Sequence, residues 1–395
     1  MKEPSLEKEQ QLFFHTYKRL HLEVERGEGC NLFTTDGTRY LDFFGGIAVN
    51  ALGYNHPRLC KAIEEQIHKY IHVSNYFVQQ PQLKLAEKIL AASKFQRIFF
   101  TNSGTEATEG AIKLARKWGK ALNKTQLFGL SNAFHGRTMG ALSLMDKQKY
   151  REGYEPFVEN VGHLKFNDVD DLRRSIDETT LGVFVEFVQG EGGIFIVSRE
   201  YARELEVLRQ KYGFLIIADE IQSGIGRTGK LFGFTHAGVI PDIVLLAKPI
   251  GGGLPLGAIL GNDRVAETFT YGVHGTTFGG NPVACAAGLV VLEEVLDKGL
   301  MRHAEEIGVY LTSRLMQLKK DFPSLISDVR GFGCMIGVEL SIDGQPVVDA
   351  MQRRRILVNC TNVNVLRLVP PLIVTKEQCD ELIVALRSTF EELKK

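Results

Sequence analysis

Between Arg97 and Leu260 the chain alternates short apolar runs with longer helical stretches, and this rhythm restricts the fold more than any other feature. The runs are Arg97 to Thr101, Gln126 to Leu130, Leu181 to Val188, Phe214 to Asp219, Asp242 to Ala247 and Gly257 to Leu260. Helical stretches span Glu106 to about Lys120 and Ser198 to Tyr212. Strands rich in Val, Ile and Leu that alternate with helices predict a parallel or mostly parallel sheet covered on both faces. Two long helical stretches follow, Pro282 to Leu296 and Leu300 to Lys320. The remainder, from Ile326, reads as short strands closed by a helix from Lys376 to Lys395. The change of rhythm near residue 285 predicts a large α/β domain over 51–284. A smaller α+β domain is expected over 285–395, joined by an N-terminal segment over 1–50. A chain of 395 residues is long enough for two such domains.

In open α/β sheets, ligands collect at the carboxyl ends of the strands. Two strand ends there carry charge. Lys248 follows the run Asp242 to Ala247 and precedes Pro249-Ile250-Gly251-Gly252-Gly253. An amine delivered by a buried strand is poorly hydrated, so its pKa falls, and it can attack a carbonyl carbon to form a Schiff base. A lysine there can equally snorkel to the surface. Asp219 ends the run from Phe214, and a carboxylate there is costly unless it meets a cation or lies in a surface turn. In a parallel sheet the two residues project toward one crevice. An acid that holds a pyridine nitrogen protonated, opposite a lysine that holds an aldehyde, is the arrangement pyridoxal phosphate requires.

Thr101 to Glu106 joins a strand to a helix. Ser103 and Glu106 have the spacing of a capping box, and Gly104 and Thr105 leave backbone N–H groups at a positive helix end that suits a phosphate. Arg137 and Arg367 are single arginines in loop or apolar settings. They fit either structural ion pairs or two-pronged binding of substrate carboxylates. His135 reads equally as a packed core residue, and no histidine pair has metal-ligand spacing, so no metal is expected. Gly224 to Lys230 satisfies two nucleotide-loop patterns. Leu231 stands where a hydroxyl should meet magnesium, and no clean helix follows, which argues against both.

Composition narrows the partners. Lys plus Arg and Asp plus Glu both total 47, so neither nucleic acid nor an anionic membrane is the expected partner. Met1 to Gln11 has no apolar core, no run approaches membrane-spanning length, and the six cysteines form no CxxC pair. A cytoplasmic location is the expectation.

Taken together, these residues resemble the class III pyridoxal-phosphate aminotransferases of fold type I. The likeness runs nearly end to end through Asp36 to Asp42, Gly46 to Gly53, Ser103 to Ala107, Phe134 to Thr138, Gln189 to Gly193, Asp219 to Gln222, Lys248, His274 to Asn281, and Pro370-Pro371. The resemblance implies that Lys248 is the Schiff-base lysine and proton shuttle. It implies that Asp219 pairs with the pyridine nitrogen, Gln222 contacts the ring hydroxyl and Phe134 stacks on the ring. Ser103, Gly104 and Thr105 are expected at the phosphate. Thr277 would reach the phosphate held by a neighbouring subunit, which implies a homodimer with shared active sites.

Arg367 is expected to take the α-carboxylate of glutamate or 2-oxoglutarate, Glu191 to neutralise it otherwise, and Arg137 to take the carboxylate of an acylated substrate. The implied activity transfers the amine of N²-acetylornithine to 2-oxoglutarate, giving N-acetylglutamate 5-semialdehyde and glutamate in arginine biosynthesis. N-succinylornithine, free ornithine or another ω-amino acid are the alternatives. Tyr54 to Pro57 departs from the usual pattern, and Pro249 follows the lysine where a small residue is commoner. Ile47 and Val78 stand where ornithine δ-aminotransferases carry aromatic residues, which favours the acylated substrate.

Overall fold

The structure, a computed structural model, describes residues 4–394. Met1 to Glu3 and Lys395, the expected end of the last helix, lie outside the described residues. The strands in chain order are β1 (Val24–Glu28), β2 (Asn31–Thr34), β3 (Arg39–Asp42), β4 (Arg97–Thr101) and β5 (Gln126–Leu130). Next come β6 (Val161–Leu164), β7 (Thr180–Val185), β8 (Leu215–Asp219), β9 (Ile243–Leu246) and β10 (Gly257–Gly261). The last are β11 (Ile326–Phe332), β12 (Met335–Leu340), β13 (Ile356–Leu357), β14 (Asn359–Thr361) and β15 (Val365–Leu368).

A seven-stranded sheet in the order β4-β10-β9-β8-β7-β5-β6 forms the centre. β5, β6, β7, β8 and β9 pair in parallel, while β10 runs antiparallel to both β9 and β4. The sheet is thus mostly parallel, with one reversed strand. The reason the central runs are continuously apolar is visible in the packing. Leu215, Ile217, Ile243 and Leu245 face one core with Ala107, Ala111 and Ala115 of the helix Gly104–Lys120. Ile216, Ala218, Val244 and Leu246 face the other core, with Tyr201, Leu205 and Leu208 of the helix Arg199–Tyr212. Both faces are covered, so every position is buried. Each such Leu or Ile contributes roughly 1.5–3 kcal/mol by leaving water.

Several details differ from the sequence reading. β6 and the short helix Val169–Ser175 were not expected, because Gly162 and His163 break the apolar run of an edge strand. The run expected to reach Val188 stops as a strand at Val185. The helix from Pro282 keeps α-geometry only to Leu292, and its last turn, Glu293–Asp297, widens to a π-helix.

Two four-stranded sheets complete the chain, β1-β2-β3-β13 and β11-β12-β15-β14. β13 pairs in parallel with β3, so residues from both ends of the chain share one sheet. β15 carries Arg367, and its neighbours β12 and β14 pair antiparallel with it.

Candidate active site

A cavity of ≈ 440 Å³ opens at the carboxyl ends of β4, β8 and β9, and its wall includes Lys248, Asp219, Gln222, Phe134, Arg137, and Ser103 through Thr105. The register explains why residues far apart in sequence meet. Asp219 lies beside Leu245 across the β8–β9 ladder, and Lys248 follows three residues later. Lys248 itself adopts φ +48, a left-handed conformation that costs a lysine energy, and begins a tight turn through Gly251. Its pKa falls to about 8: burial, and after it the Arg367 charge, lower it, while Glu191, Asp219 and Glu186 pull the other way.

Asp219 is buried. One carboxylate oxygen accepts from His135 Nδ1 at 2.7 Å and the other from Ile221 N–H at 3.1 Å. His135 is buried too. Burial opposes its protonation, but the hydrogen bond to Asp219 and that residue's charge prevail, so its pKa is raised. In sequence His135 reads equally as a packed core residue; the structure makes it the support of Asp219. Glu220, the second acid of that strand end, does not line the cavity. It accepts from Ser223 Oγ and the N–H groups of Gly233 and Phe234.

The helix Gly104–Lys120 points its N-terminus at the cavity, leaving the partial positive charge there that favours an anion. Ser103 Oγ accepts from Glu106 N–H at 3.3 Å. The reciprocal half of the expected capping box is shifted by one residue, because Glu106 accepts from Asn102 N–H at 2.7 Å. Thr105 Oγ1 meets Thr138 Oγ1 at 2.9 Å and accepts from the N–H groups of Arg137 and Thr138. Its hydroxyl therefore ties the loop that bears Phe134 and Arg137 to the start of the helix.

Arg137 makes no ion pair among the described residues; its guanidinium lies 4.3 Å from the Tyr150 ring centre and 5.3 Å from that of Phe134. Tyr150 is a neighbour the sequence reading missed. Arg367, 1% exposed, pairs through Nη1 with Glu191 and donates to Gln222 Oε1 at 3.2 Å. Burial opposes the Glu191 charge, yet Arg367, followed by Lys248 and Lys147, keeps its pKa below the ordinary value. Glu191 and Arg367 adjoin the cavity through Gln222, which lines it. Thr277 is exposed and lies outside the cavity wall, as do Ile47 and Val78.

Glu186 was also missed, although a single carboxylate inside Val185 to Val188 was a signal the sequence offered. It is buried in the cavity wall and accepts from Phe134 N–H at 2.8 Å and Gly190 N–H at 3.0 Å. Burial and the Asp219 charge push its pKa up to about 7. The donor set suits pyridoxal phosphate, with a helix end for the phosphate, a lysine of lowered pKa for the aldehyde and a buried acid for the ring nitrogen.

A family profile for class-III aminotransferases matches residues 13–390. The chain belongs to that family. It is 42% identical over 390 residues to the acetylornithine aminotransferase of Methanocaldococcus jannaschii, covering 98% of each chain. With the acetylornithine aminotransferase of Clostridium acetobutylicum it shares 43% over 382 residues, covering 96% and 97%. Among solved structures, the ornithine aminotransferase of Toxoplasma gondii superposes with a TM-score of 0.95 at 29% identity, covering 99% of this chain and 95% of that one. An amine transaminase from an uncultivated Pseudomonas species, in its PLP-bound form, gives 0.90 at 28% identity, covering 96% and 98%. The fold is fold type I of the pyridoxal-phosphate-dependent transferases.

In this aminotransferase the Gly224 to Lys230 loop serves packing. A Cβ on Gly226 would meet Val295 at 2.8 Å, and one on Gly229 would meet Glu305 at 2.8 Å. Arg227, within the loop, is buried and donates to the carbonyls of Cys334 and Pro370.

Proposed function

We propose that this aminotransferase moves the δ-amino group of N²-acetylornithine to 2-oxoglutarate, yielding N-acetylglutamate 5-semialdehyde and glutamate, as a step of arginine biosynthesis. The observation that carries the reading is a pair of arginines in unequal states: Arg137 in the cavity wall with no ion pair among the described residues, and Arg367 neutralised by Glu191. An enzyme serving an acylated amine and a dicarboxylate in turn needs one anion site always open and one that can be masked. The relatives named acetylornithine aminotransferase, alike over nearly the whole chain, support the same substrate.

The cofactor is pyridoxal 5′-phosphate, whose aldehyde captures the amine and whose ring draws off the negative charge left when a carbon-bound proton departs. Asp219, oriented by His135, holds the proton on the ring nitrogen. Lys248 Nζ takes the proton from the substrate carbon and returns it as general acid; a pKa of about 8 suits both tasks. Phe134 and Gln222 position the ring, and the Ser103 to Thr105 turn holds the phosphate. Arg137 orients the carboxylate of the acylated amine, and Arg367 that of the dicarboxylate once Glu191 withdraws.

We also assign a homodimer with shared sites. Ile71, Tyr76, Phe77, Val78, Tyr271 and Phe278 are exposed on two neighbouring segments, and Thr277 lies among them. Asn75 Nδ2 joins those segments, donating to the carbonyls of Thr276 and Gly279. An exposed apolar strip of this kind favours a protein partner. A cytoplasmic location belongs to the same reading, supported by six cysteines that remain free thiols. Among the described residues no helix is long and apolar enough to cross a membrane.

The likeness to an ornithine aminotransferase structure makes free ornithine the second reading. Measuring kcat/KM for acetylornithine, succinylornithine and free ornithine with 2-oxoglutarate separates them. Acetylornithine should lead free ornithine by at least about ten-fold, because the acyl contacts are lost with the acyl group. Equal values, or a lead for free ornithine, would overturn the assignment.

A further inference from the structure

On the dual-substrate reading, on which this inference rests, the Glu191 carboxylate must go elsewhere when a dicarboxylate takes Arg367. Arg367 Nη1 already serves Glu191 and Gln222, and Nε donates to Asn359 Oδ1 at 3.2 Å. A second carboxylate arriving there would place two anions on one buried cation, and their repulsion expels one of them. An expelled carboxylate in a partly buried space needs a new cation.

The main chain is tethered on either side of the Glu191 side chain. Gly190 N–H is held by Glu186 Oε1 at 3.0 Å. The Glu191 carbonyl accepts from Thr361 Oγ1 at 2.7 Å and from Lys147 Nζ at 3.2 Å. With the backbone held from both sides, rotation about the side-chain torsions of Glu191 is the move that breaks none of these bonds. The cations that face it are Arg367, Lys248 and Lys147. The incoming substrate occupies the first and the chemistry uses the second. Lys147 has neither task, and it makes no ion pair among the described residues. Burial lowers its pKa and Lys149 adds to that, while Glu191, Glu186 and Asp146 act in the opposite sense.

We propose that Lys147 is the alternate partner of the Glu191 carboxylate, receiving it whenever a dicarboxylate takes Arg367. Lys147 is then a specificity-determining residue, acting through Glu191 on the dicarboxylate half of the reaction. Its hold on the Glu191 carbonyl sets the pivot, and its charge stabilises the open state.

The test is calorimetric binding of glutarate, a dicarboxylate with no amine or ketone to react, to the cofactor-loaded enzyme. Lys147→Gln keeps a donor for the carbonyl and removes the charge. It should weaken glutarate about ten-fold, and Lys147→Arg should restore affinity to within about two-fold of wild type. In a Glu191→Ala background, Lys147→Gln should change nothing further, because the carboxylate it serves is gone. Undiminished affinity in Lys147→Gln would overturn the proposal. So would an equal loss with and without Glu191, which would mean that Lys147 acts on the ligand or the loop directly. Steady-state rates supply a second readout: the glutamate half-reaction should fall about ten-fold more than the amine half-reaction. If wild type turned over no acylated ornithine, the substrate reading would fail separately, since glutarate binding needs no amine donor.

Discussion

The proposed chemistry turns on a lysine that the fold holds against its own preference. Lys248 sits at φ +48 with its amine in a cavity, and its pKa falls from the ordinary 10.5 to about 8. Between those values the unfolded chain binds the proton more tightly than the folded one, so this group's contribution to stability rises with pH across that window. The penalty is fully present below about pH 8 and fades toward 10.5. Lys248→Met in the cofactor-free protein should therefore be more stable than wild type at pH 7 by roughly 3 kcal/mol. Urea unfolding at pH 7 and pH 10 checks this, with the gap narrowing at the higher pH; a gap independent of pH would contradict it. The same residue was legible in the sequence, because a charge closing an apolar run stands out. The His135–Asp219 contact was not, since the two are 84 positions apart and only the strand order joins them.

At the scale of elements, the site is a set of strand ends and the loops that follow them. β7, β8 and β9 were legible because burial on both faces leaves unbroken apolar runs. The reversal of β10 was not, because a Gly-Ala-Ile-Leu-Gly strand reads the same in either direction. The glycines of Gly224 to Lys230 imitate a phosphate loop, yet close packing accounts for them. Gly136 shows a stricter need. Its φ is +132, and a Cβ there would lie 2.3 Å from Thr105 Oγ1. Gly136→Ala should dislodge the Phe134–Arg137 loop from the helix start, at a cost of roughly 1–3 kcal/mol in backbone strain. Pyridoxal-phosphate affinity should fall by about ten-fold or more, read by cofactor retention on gel filtration. Unchanged retention would show that the loop and the phosphate turn are independent.

At the scale of the whole molecule, the central sheet brings Lys248 and Asp219 to one cavity, and the exposed strip around Thr277 is where the proposed second copy would sit. Sedimentation should give twice the 44.1 kDa chain. Phe278→Glu should shift it toward the single chain with loss of activity. A wild-type monomer with full activity would refute shared sites. If Lys248 and Asp219 face one bound pyridoxal phosphate, borohydride reduction of the cofactor-loaded enzyme followed by peptide mapping should find the cofactor fixed to Lys248 alone. Attachment at another lysine, such as Lys147, or retained cofactor with no attachment at all, would refute that arrangement.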